Sequence, residues 1–222
     1  MPIGGGSFTV QNKVLPGAYI NFVSMGTNAK MGERGVAALP LELNWGPEGQ
    51  VFKLDAADFN ATSMKVFGYD PTDANILLVR ESMKRAKTLL IYRVNGGGTK
   101  ASATVGGMTV TAKYGGTRGN AIKVAVITNV DDATKADVVT YLDDMVMDSQ
   151  TVAKSGGAAS LVANDFVTFG TVATLAAATA TPLTGGANAT VNAAKHTAAL
   201  TAFEVETFNV IGYPGTVEDI KS

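Results

Sequence analysis

The sequence contains no cysteine and only one histidine among its 222 residues. The absence of cysteine excludes disulfide bonds and thiolate metal sites, and a lone histidine does not predict a zinc site. No apolar run is long enough to span a bilayer as a helix. The N-terminal stretch MPIGGGSFTV lacks the basic start and apolar core of a signal peptide. We therefore expect a protein that is made in a cytoplasm and stays there or leaves within a larger assembly.

Charged residues are also scarce. They make up 17% of the chain, against about 25% in an average globular protein. The 18 basic and 19 acidic residues give a net charge of −1, and they form no basic stripe of the kind that a nucleic-acid partner requires. Hydrophobic residues reach 46%. This composition predicts a folded chain with large buried contact surfaces and no nucleic-acid partner.

Residues 1–30 are predicted to form an extended N-terminal arm. Pro16-Gly17 is a turn signal. The segment AYINFV that follows it places alternate side chains on opposite faces, as a β-strand does. Little in the neighbouring sequence offers this strand a packing surface. The residues assigned to the strand's centre are Tyr19, Ile20, Asn21, Phe22 and Val23.

Three strands are predicted between residues 31 and 98. Thr88–Val94 is almost continuously apolar, which is typical of a strand covered on both faces. Val36–Leu39 and Val51–Leu54 are shorter candidates. Pro40 restricts the first of these to a sheet edge or a strand end, because proline cannot donate a ladder hydrogen bond.

Two helices are predicted between these strands. The first runs through Phe59–Phe67 after a cap at Asp55 or Asp58. The second begins after Asp70, with Pro71 at its first position and Asp73 in its first turn. Its remaining residues follow at helical spacing and end in cations, which the helix dipole favours: Ile76, Leu77, Arg80, Met83, Lys84 and Lys87.

The helix-then-strand pattern returns near the C-terminus. Val191–Phe203 is predicted as a helix and Phe208–Tyr213 as a strand. Both units fit one open sheet with right-handed crossovers. We predict an α/β (α+β) fold whose body is formed by residues 31–98 and 187–222.

Residues 99–186 have a different character, with short β runs and no helical periodicity. They predict a small β-sandwich or barrel-like domain inserted into the body. Asp143-Asp144 separates two β runs and is predicted to be a hairpin turn. Gly96–Gly98 and Gly185-Gly186 lie at the two ends of this segment, so we interpret them as the joints of a separable, peripheral insertion.

Glycine-rich stretches of this kind also occur in phosphate-binding loops. Gly96–Gly98 is followed by Thr99 and Lys100, but then by β-patterned sequence rather than the helix that a P-loop needs. The stretch GGTRGN at residues 115–120 fits an anion-binding nest or a loop between two strands, and the loop is the favoured interpretation. Neither stretch predicts a nucleotide cofactor.

Other candidate chemical groups have simpler interpretations. His196 lies within a predicted helix and is interpreted as a partly covered helix residue rather than a catalytic base. Asp131-Asp132 and Asp143-Asp144 lie at turns, where aspartate is favoured. Trp45, before Gly-Pro, is interpreted as a packing residue rather than a ligand platform. We predict no catalytic, cofactor-binding or metal residues, and no enzyme activity. The alternative is a small-ligand-binding α/β enzyme with a crevice near Gly96 and Gly215.

Several segments together resemble contractile tail sheath proteins of phages and phage-tail-like particles. They occur in the order of that family and cover nearly the whole chain. The runs LPLELNWGPEG and YGGTRGNAIKV are the more specific ones. The others are LPGAYINFVS, ANILLVRESMKRAKTLLIYRVNGG, PLTGGANATV and FEVETFNVIGYPGT.

The resemblance implies a structural subunit that polymerises into a helical sleeve around a tail tube. In that family the sleeve shortens when the baseplate triggers it and drives the tube through a host envelope, without consuming a nucleotide. The implied partners are further copies of the chain, the tail tube protein, and the baseplate and tail terminator proteins. The implied location is the virion tail, assembled in the host cytoplasm. The family's arms add strands to neighbouring subunits, and the arm strand is Tyr19, Ile20, Asn21, Phe22 and Val23.

The chain departs from the pattern of this family at its C-terminal end. Sheath proteins of this kind continue past the equivalent of NVIGYPGT, whereas this chain ends at Ser222. We expect a piece of a longer sheath protein, with an open apolar sheet edge at Phe208–Tyr213. The sequence leaves open whether the sheath belongs to a phage, a phage-tail-like bacteriocin or another injection machine.

Overall fold

The structure is a computed structural model that describes residues 35–214. The predicted arm strand Tyr19–Val23 and Gly215 lie outside these residues. The described part combines helices with three β-sheets, which confirms the predicted α+β class. None of its helices is long and apolar enough to cross a membrane. The body sheet has the strand order β11-β1-β3-β2 and consists of β1 (Val36–Leu41), β2 (Val51–Asp55), β3 (Thr88–Arg93) and β11 (Val210–Ile211).

Strand β3 is the buried centre of the body sheet, as its apolar sequence predicted. All six of its residues are buried. It pairs in parallel with β1 and antiparallel with β2. Leu89 and Ile91 pack into one hydrophobic cluster, and Leu90 and Tyr92 pack into another. Because successive side chains of a strand point to opposite faces, β3 joins the cores on the two sides of the sheet.

Pro40 lies inside β1, close to its end. The carbonyl groups of Val36 and Ala38 accept hydrogen bonds from the backbone of Asn209 and Gly212 on the β11 side. The backbone of Pro40 therefore faces the same side, two residues beyond the point where Ala38 pairs with Ile211. The proline occupies a position where β11 has already ended, so its missing donor leaves no ladder bond unmade.

The first helix has the predicted length, whereas the second is shorter than the sequence suggested. Helix α1 (Phe59–Phe67) follows Asp58, as predicted, although the Asp58 side chain makes no capping bond. Helix α2 (Leu77–Met83) begins several residues after the predicted start, so the assignment of Asp70 as its cap is wrong. The Asp70 carboxylate accepts hydrogen bonds from the N–H and hydroxyl of Thr72 and closes a local turn instead. Asp73 caps the short 3₁₀ turn that leads into α2.

Helix α3 (Ala193–Glu204) agrees with its prediction to within two residues at each end. The side chain of Asn192 caps it by accepting a hydrogen bond from the N–H of Lys195 at 3.1 Å. Ala199 and Phe203 face the body sheet and are buried there. The following strand, β11, has only two residues and is shorter than the predicted Phe208–Tyr213. It pairs in parallel with β1 and ends the described sheet.

The segment predicted as an insertion forms two facing sheets with one shared apolar core. Asp143 and Asp144 have φ values of 49° and 65°, as a two-residue primed hairpin turn requires. Strand β10 (Ala178–Pro182) was not predicted, because its sequence ATATP lacks large β-forming side chains. The first sheet contains β4 (Lys100–Val105), β5 (Met108–Gly115) and β9 (Val167–Phe169). The second contains β6 (Ile122–Thr128), β7 (Lys135–Leu142), β8 (Met145–Ala153) and β10 (Ala178–Pro182).

Candidate functional site

A crevice of about 540 Å³ opens at the carboxyl ends of the parallel strands β1, β3 and β11. Ligands of open α/β sheets bind at this kind of place, and the alternative enzyme hypothesis pointed to it. Its exposed lining is divided about evenly between polar and apolar surface. The residues that carry polar or aromatic groups into it are Glu42, Asn192, His196 and Tyr213.

The polar groups of the crevice form no recognisable catalytic set. His196 is half-buried, and its Nε2 lies 3.4 Å from the Tyr213 hydroxyl. Among residues 35–214, no three His, Cys, Asp or Glu side chains are placed to hold a metal ion. The Nζ of Lys195 donates to the carbonyl of Gly96 at 2.9 Å.

The loop at Gly96–Gly98 faces a carboxylate rather than an anion site. The N–H of Gly97 donates to Oε2 of Glu48 at 2.8 Å. A Cβ atom built on Gly96 would lie 2.7 Å from the Cβ of Glu48. A phosphate at this loop would meet the negative charge of Glu48 at close range. The N–H of Gly97 is therefore already engaged, and the adjacent carboxylate gives the loop the wrong electrostatics for a phosphate cradle.

The stretch at residues 115–120 connects β5 to β6, as the favoured interpretation expected, and most of it forms a short 3₁₀ helix (Thr117–Ala121). Its arginine is fully engaged. Nε of Arg118 donates to the carbonyl of Gly68 at 2.7 Å, and its guanidinium lies 4.3 Å from the centre of the Tyr69 ring. The same guanidinium pairs with Asp143. Arg118 therefore links the body to the insertion and does not form a free anion nest.

A buried cation lies at the end of β3. Arg93 is 1% exposed, and its three nitrogens donate to Oδ1 of Asn95 at 3.2 Å, the carbonyl of Gly46 at 3.2 Å and Oδ1 of Asn188 at 3.3 Å. Burial lowers the pKa of the Arg93 guanidinium, and the carboxylate of Glu48, 4.0 Å away, opposes that shift. The cation joins the β1–β2 connection to the residues that precede and follow the insertion.

Asparagine side chains extend the hydrogen-bond network around Arg93. Oδ1 of Asn95 also accepts from the N–H of Leu43 at 2.9 Å. Nδ2 of Asn188 donates to Oδ1 of Asn44 at 2.8 Å, and Nδ2 of Asn44 donates to the Tyr69 hydroxyl at 3.2 Å. We call Arg93, Asn95, Asn188, Asn44 and Tyr69 the polar seam. It runs along the junction between body and insertion.

The glycines at the ends of the insertion serve close packing. A Cβ on Gly98 would lie 2.1 Å from the carbonyl oxygen of Ala187, and one on Gly186 would lie 2.5 Å from that of Gly116. Thr99 and Ala187 form an isolated β-bridge beside them. At Gly98 and Gly186 the two connections therefore pack tightly against each other, and the separability of the insertion stays a prediction.

Trp45 is a packing residue, as the sequence indicated, but it packs in an unexpected place. It lies on the β1–β2 connection of the body and is 1% exposed within the core of the insertion. Its ring meets Tyr114 edge to face at 5.3 Å and stacks on Phe166 at 6.4 Å. Burial raises the pKa of the Tyr114 hydroxyl, and the charges of Asp165 and Glu48 add to the effect.

Within the described residues, the outer edge of the body sheet presents an apolar surface. β11 is the last strand in residues 35–214, and Val210 is 58% exposed. Beside it, a groove of about 490 Å³ runs between the strand and α2. Leu78 of that helix is 53% exposed. An edge strand with apolar neighbours is a template for pairing with further polypeptide. We call β11 and this groove the β11 edge.

Sequence reasoning missed the polar seam. Arg93 is the only charged residue in the run TLLIYRV, and a buried charge within an apolar strand was the one available signal. The asparagines carried no signal, because their partners come from distant parts of the chain.

Comparisons with known proteins agree on one family. Residues 34–94 match the model of the N-terminal region of domain III of tail sheath protein Gp18. Residues 96–188 match the model of the phage tail sheath protein beta-sandwich domain. The two matches together cover most of the described residues.

Relatives and solved structures point the same way. Protein YqbK of Bacillus subtilis is 38% identical over 98% of this chain and 49% of its own length. Protein XkdK of the phage-like element PBSX, from the same organism, is 36% identical over 96% and 48%. The sheath tail protein of Desulfitobacterium hafniense is 41% identical, with a TM-score of 0.79 over 92% of this chain and 47% of that one. The chain spans about half the length of these relatives, and it belongs to the phage tail sheath protein family.

Proposed function

We propose that the chain is a subunit of a contractile tail sheath. Many copies polymerise helically around a tail tube, and the sleeve shortens to drive the tube through a host envelope. The observation that carries this proposal is the ordered match of both body and insertion to tail sheath domains. The energy for contraction would come from repacking between two arrangements of the same subunits, so no nucleotide is needed.

A sheath subunit has defined partners and a defined location. Its partners are other copies of itself, the tail tube protein, and the baseplate and tail terminator proteins. The chain is assembled in the host cytoplasm and ends in the virion tail. The similarity to a protein of the phage-like element PBSX supports a tail component.

The arm and the β11 edge would supply the links between segments. Tyr19–Val23, outside the described residues, would add a strand to a neighbouring subunit. The β11 edge would be continued by further sheath polypeptide, since the relatives are about twice as long as the matched region. Backbone hydrogen bonds formed in this way are independent of side-chain identity, so they hold a lattice of identical copies together.

Electron microscopy of the whole sheath protein, expressed without other tail proteins, tests polymerisation. We expect sleeves of constant diameter with a helical repeat. A protein that remains monomeric in every buffer and at every concentration would contradict the proposal.

The β11 edge should cause the chain of 222 residues to self-associate. Val210→Lys is expected to reduce this association, because an edge charge blocks strand pairing. The melting temperature should stay nearly constant, since the side chain of Val210 is already exposed. Size-exclusion chromatography with light scattering measures the change. Val130→Lys is the matched control, because Val130 is 95% exposed in a distant loop. Equal association in both variants, or a wild-type protein that is monomeric at all concentrations, would exclude the β11 edge as the surface of self-association.

The enzyme alternative makes an opposite prediction for ligands. A ligand at a hundredfold its Kd stabilises a protein by about 2.7 kcal/mol, which corresponds to roughly 5–10 °C for a chain of this size. With ATP, GTP, NAD and common divalent metal ions we expect no shift in a thermal melt. A saturable shift with any of them would assign the crevice at the strand ends to a ligand and overturn the purely structural account.

A further inference from the structure

We infer that the insertion cannot complete its core alone, and that body and insertion unfold as one cooperative unit because the body supplies Trp45 to the insertion. This inference is independent of what the sheath assembles into. It replaces the expectation, based on the terminal glycines, of a separable β domain. Residues 35–214 fall within a single compact unit of the chain.

Trp45 reaches the insertion from the β1–β2 connection, far along the chain from its contacts. Its ring lies between Tyr114 on β5 and Phe166 just before β9. Its six-membered ring also approaches Gly119, where an added Cβ would lie 3.6 Å away. The indole is therefore enclosed by segments of the insertion on several sides.

The absence of this indole would leave a cavity in the insertion core. Tryptophan buries about 150–250 Å² of surface, and protein interiors have few voids as large as a side chain. An insertion without Trp45 would expose Tyr114 and Phe166 to water or collapse around the gap. Conversely, a body without the insertion would expose Trp45. Each part, when separated from the other, therefore loses the apolar contact that Trp45 makes between them.

The polar seam gives the same coupling through hydrogen bonds. Within the body, Arg93 donates to Oδ1 of Asn188 at 3.3 Å. The same Oδ1 also accepts from the N–H of Thr117 in the insertion at 3.3 Å, and Arg118 of the insertion donates to the carbonyl of Gly68 in the body at 2.7 Å. Separation of the two parts would break the bonds of Thr117 and Arg118 and leave these groups without partners or force them into water. The exposed ion pair between Lys65 and Asp165 also crosses the junction, but such pairs contribute little.

The indole nitrogen distinguishes packing from hydrogen bonding at this position. Nε1 of Trp45 is buried and has no hydrogen-bond partner in the described residues. The ring therefore acts through its volume and its aromatic contacts. Trp45→Phe keeps most of that volume and removes the unpaired donor, whereas Trp45→Ala removes the ring.

Native-state hydrogen exchange, read by mass spectrometry in increasing denaturant, tests the inference on the intact chain. In the wild type, we expect peptides from β3 and from β6 to exchange through one shared global opening with the same denaturant dependence. Separate openings, with β6 exchanging at lower denaturant than β3, would overturn the inference without any variant.

Two variants and a control then locate the coupling. In Trp45→Ala, the insertion peptides are expected to lose protection before the body peptides, which gives two unfolding transitions instead of one. Trp45→Phe should restore a single transition. Phe203→Ala is the control, because Phe203 is equally buried but lies wholly in the body core. It should lower the melting temperature without splitting the transition. A single transition in Trp45→Ala, or a split in Phe203→Ala, would contradict a specific role for Trp45.

Discussion

Deletion of residues 1–24 from the whole sheath protein is expected to abolish stable sleeves while the melting temperature of the subunit stays nearly unchanged. One alternating strand without an intramolecular partner cannot offset an ordering entropy of about 1–2 kcal/mol per residue. Such a strand contributes little to its own subunit and gains its hydrogen bonds only from another copy. Melting curves and electron micrographs of the truncated and intact proteins measure the two effects separately.

A point substitution refines the test of the arm. Ile20→Pro should weaken sleeves almost as strongly as the deletion if the N–H of Ile20 lies in the ladder, because proline removes that donor. Ile20→Val is the matched control, since it keeps the donor and the β-branched side chain. A large fall in the melting temperature of the truncated protein would place the arm in the subunit's own core. Contractile sleeves formed without the arm would refute strand exchange.

Replacement of Arg93 by methionine is expected to destabilise the chain by about 3 kcal/mol, because it removes all three hydrogen bonds of a buried cation. Methionine retains a long apolar side chain but removes the donor to the Gly46 carbonyl, and it leaves Oδ1 of Asn95 and Asn188 with only their second donors. For a chain of this size, the melting temperature should fall by roughly 6–12 °C. Chemical denaturation gives the free energy of unfolding directly.

Lys84→Met is the control for the loss of a cation. The Lys84 side chain is 60% exposed and pairs with Glu81 on the surface. Exposed pairs contribute about 0–1 kcal/mol, so the control should melt close to the wild type. Equal effects of the two substitutions would show that general charge loss, rather than the buried seam, determines the result.

The sequence predicted the elements whose residues repeat with a clear period. The continuous apolar run at Thr88–Val94 identified the buried strand, and Pro40 was tolerated at the place where the neighbouring strand ends. Asp70 misled the prediction of α2, because its carboxylate closes a local turn with the same residue types that cap helices. The local sequence pattern thus predicted that an element exists more reliably than it predicted the residue at which the element begins.

The junction could not be predicted, because its contacts join residues far apart in the chain. Trp45 belongs to the core of a segment that begins more than fifty residues later, and no periodicity encodes that choice. Arg93 obtains its acceptors from both sides of the insertion. The glycines suggested the joints of a separable domain when read locally, whereas in three dimensions Gly98 and Gly186 allow two backbones to meet.

Gold-labelled antibodies against residues 99–186, applied to tailed particles released by the cells that encode this chain, test the central claim most directly. A sheath subunit should carry label along the whole length of extended tails. In contracted particles, the label should be confined to the shortened sleeve and absent from the exposed tube. Tails without label, label on the bare tube, or a protein found only in the soluble fraction would contradict the assignment of this chain to the sheath.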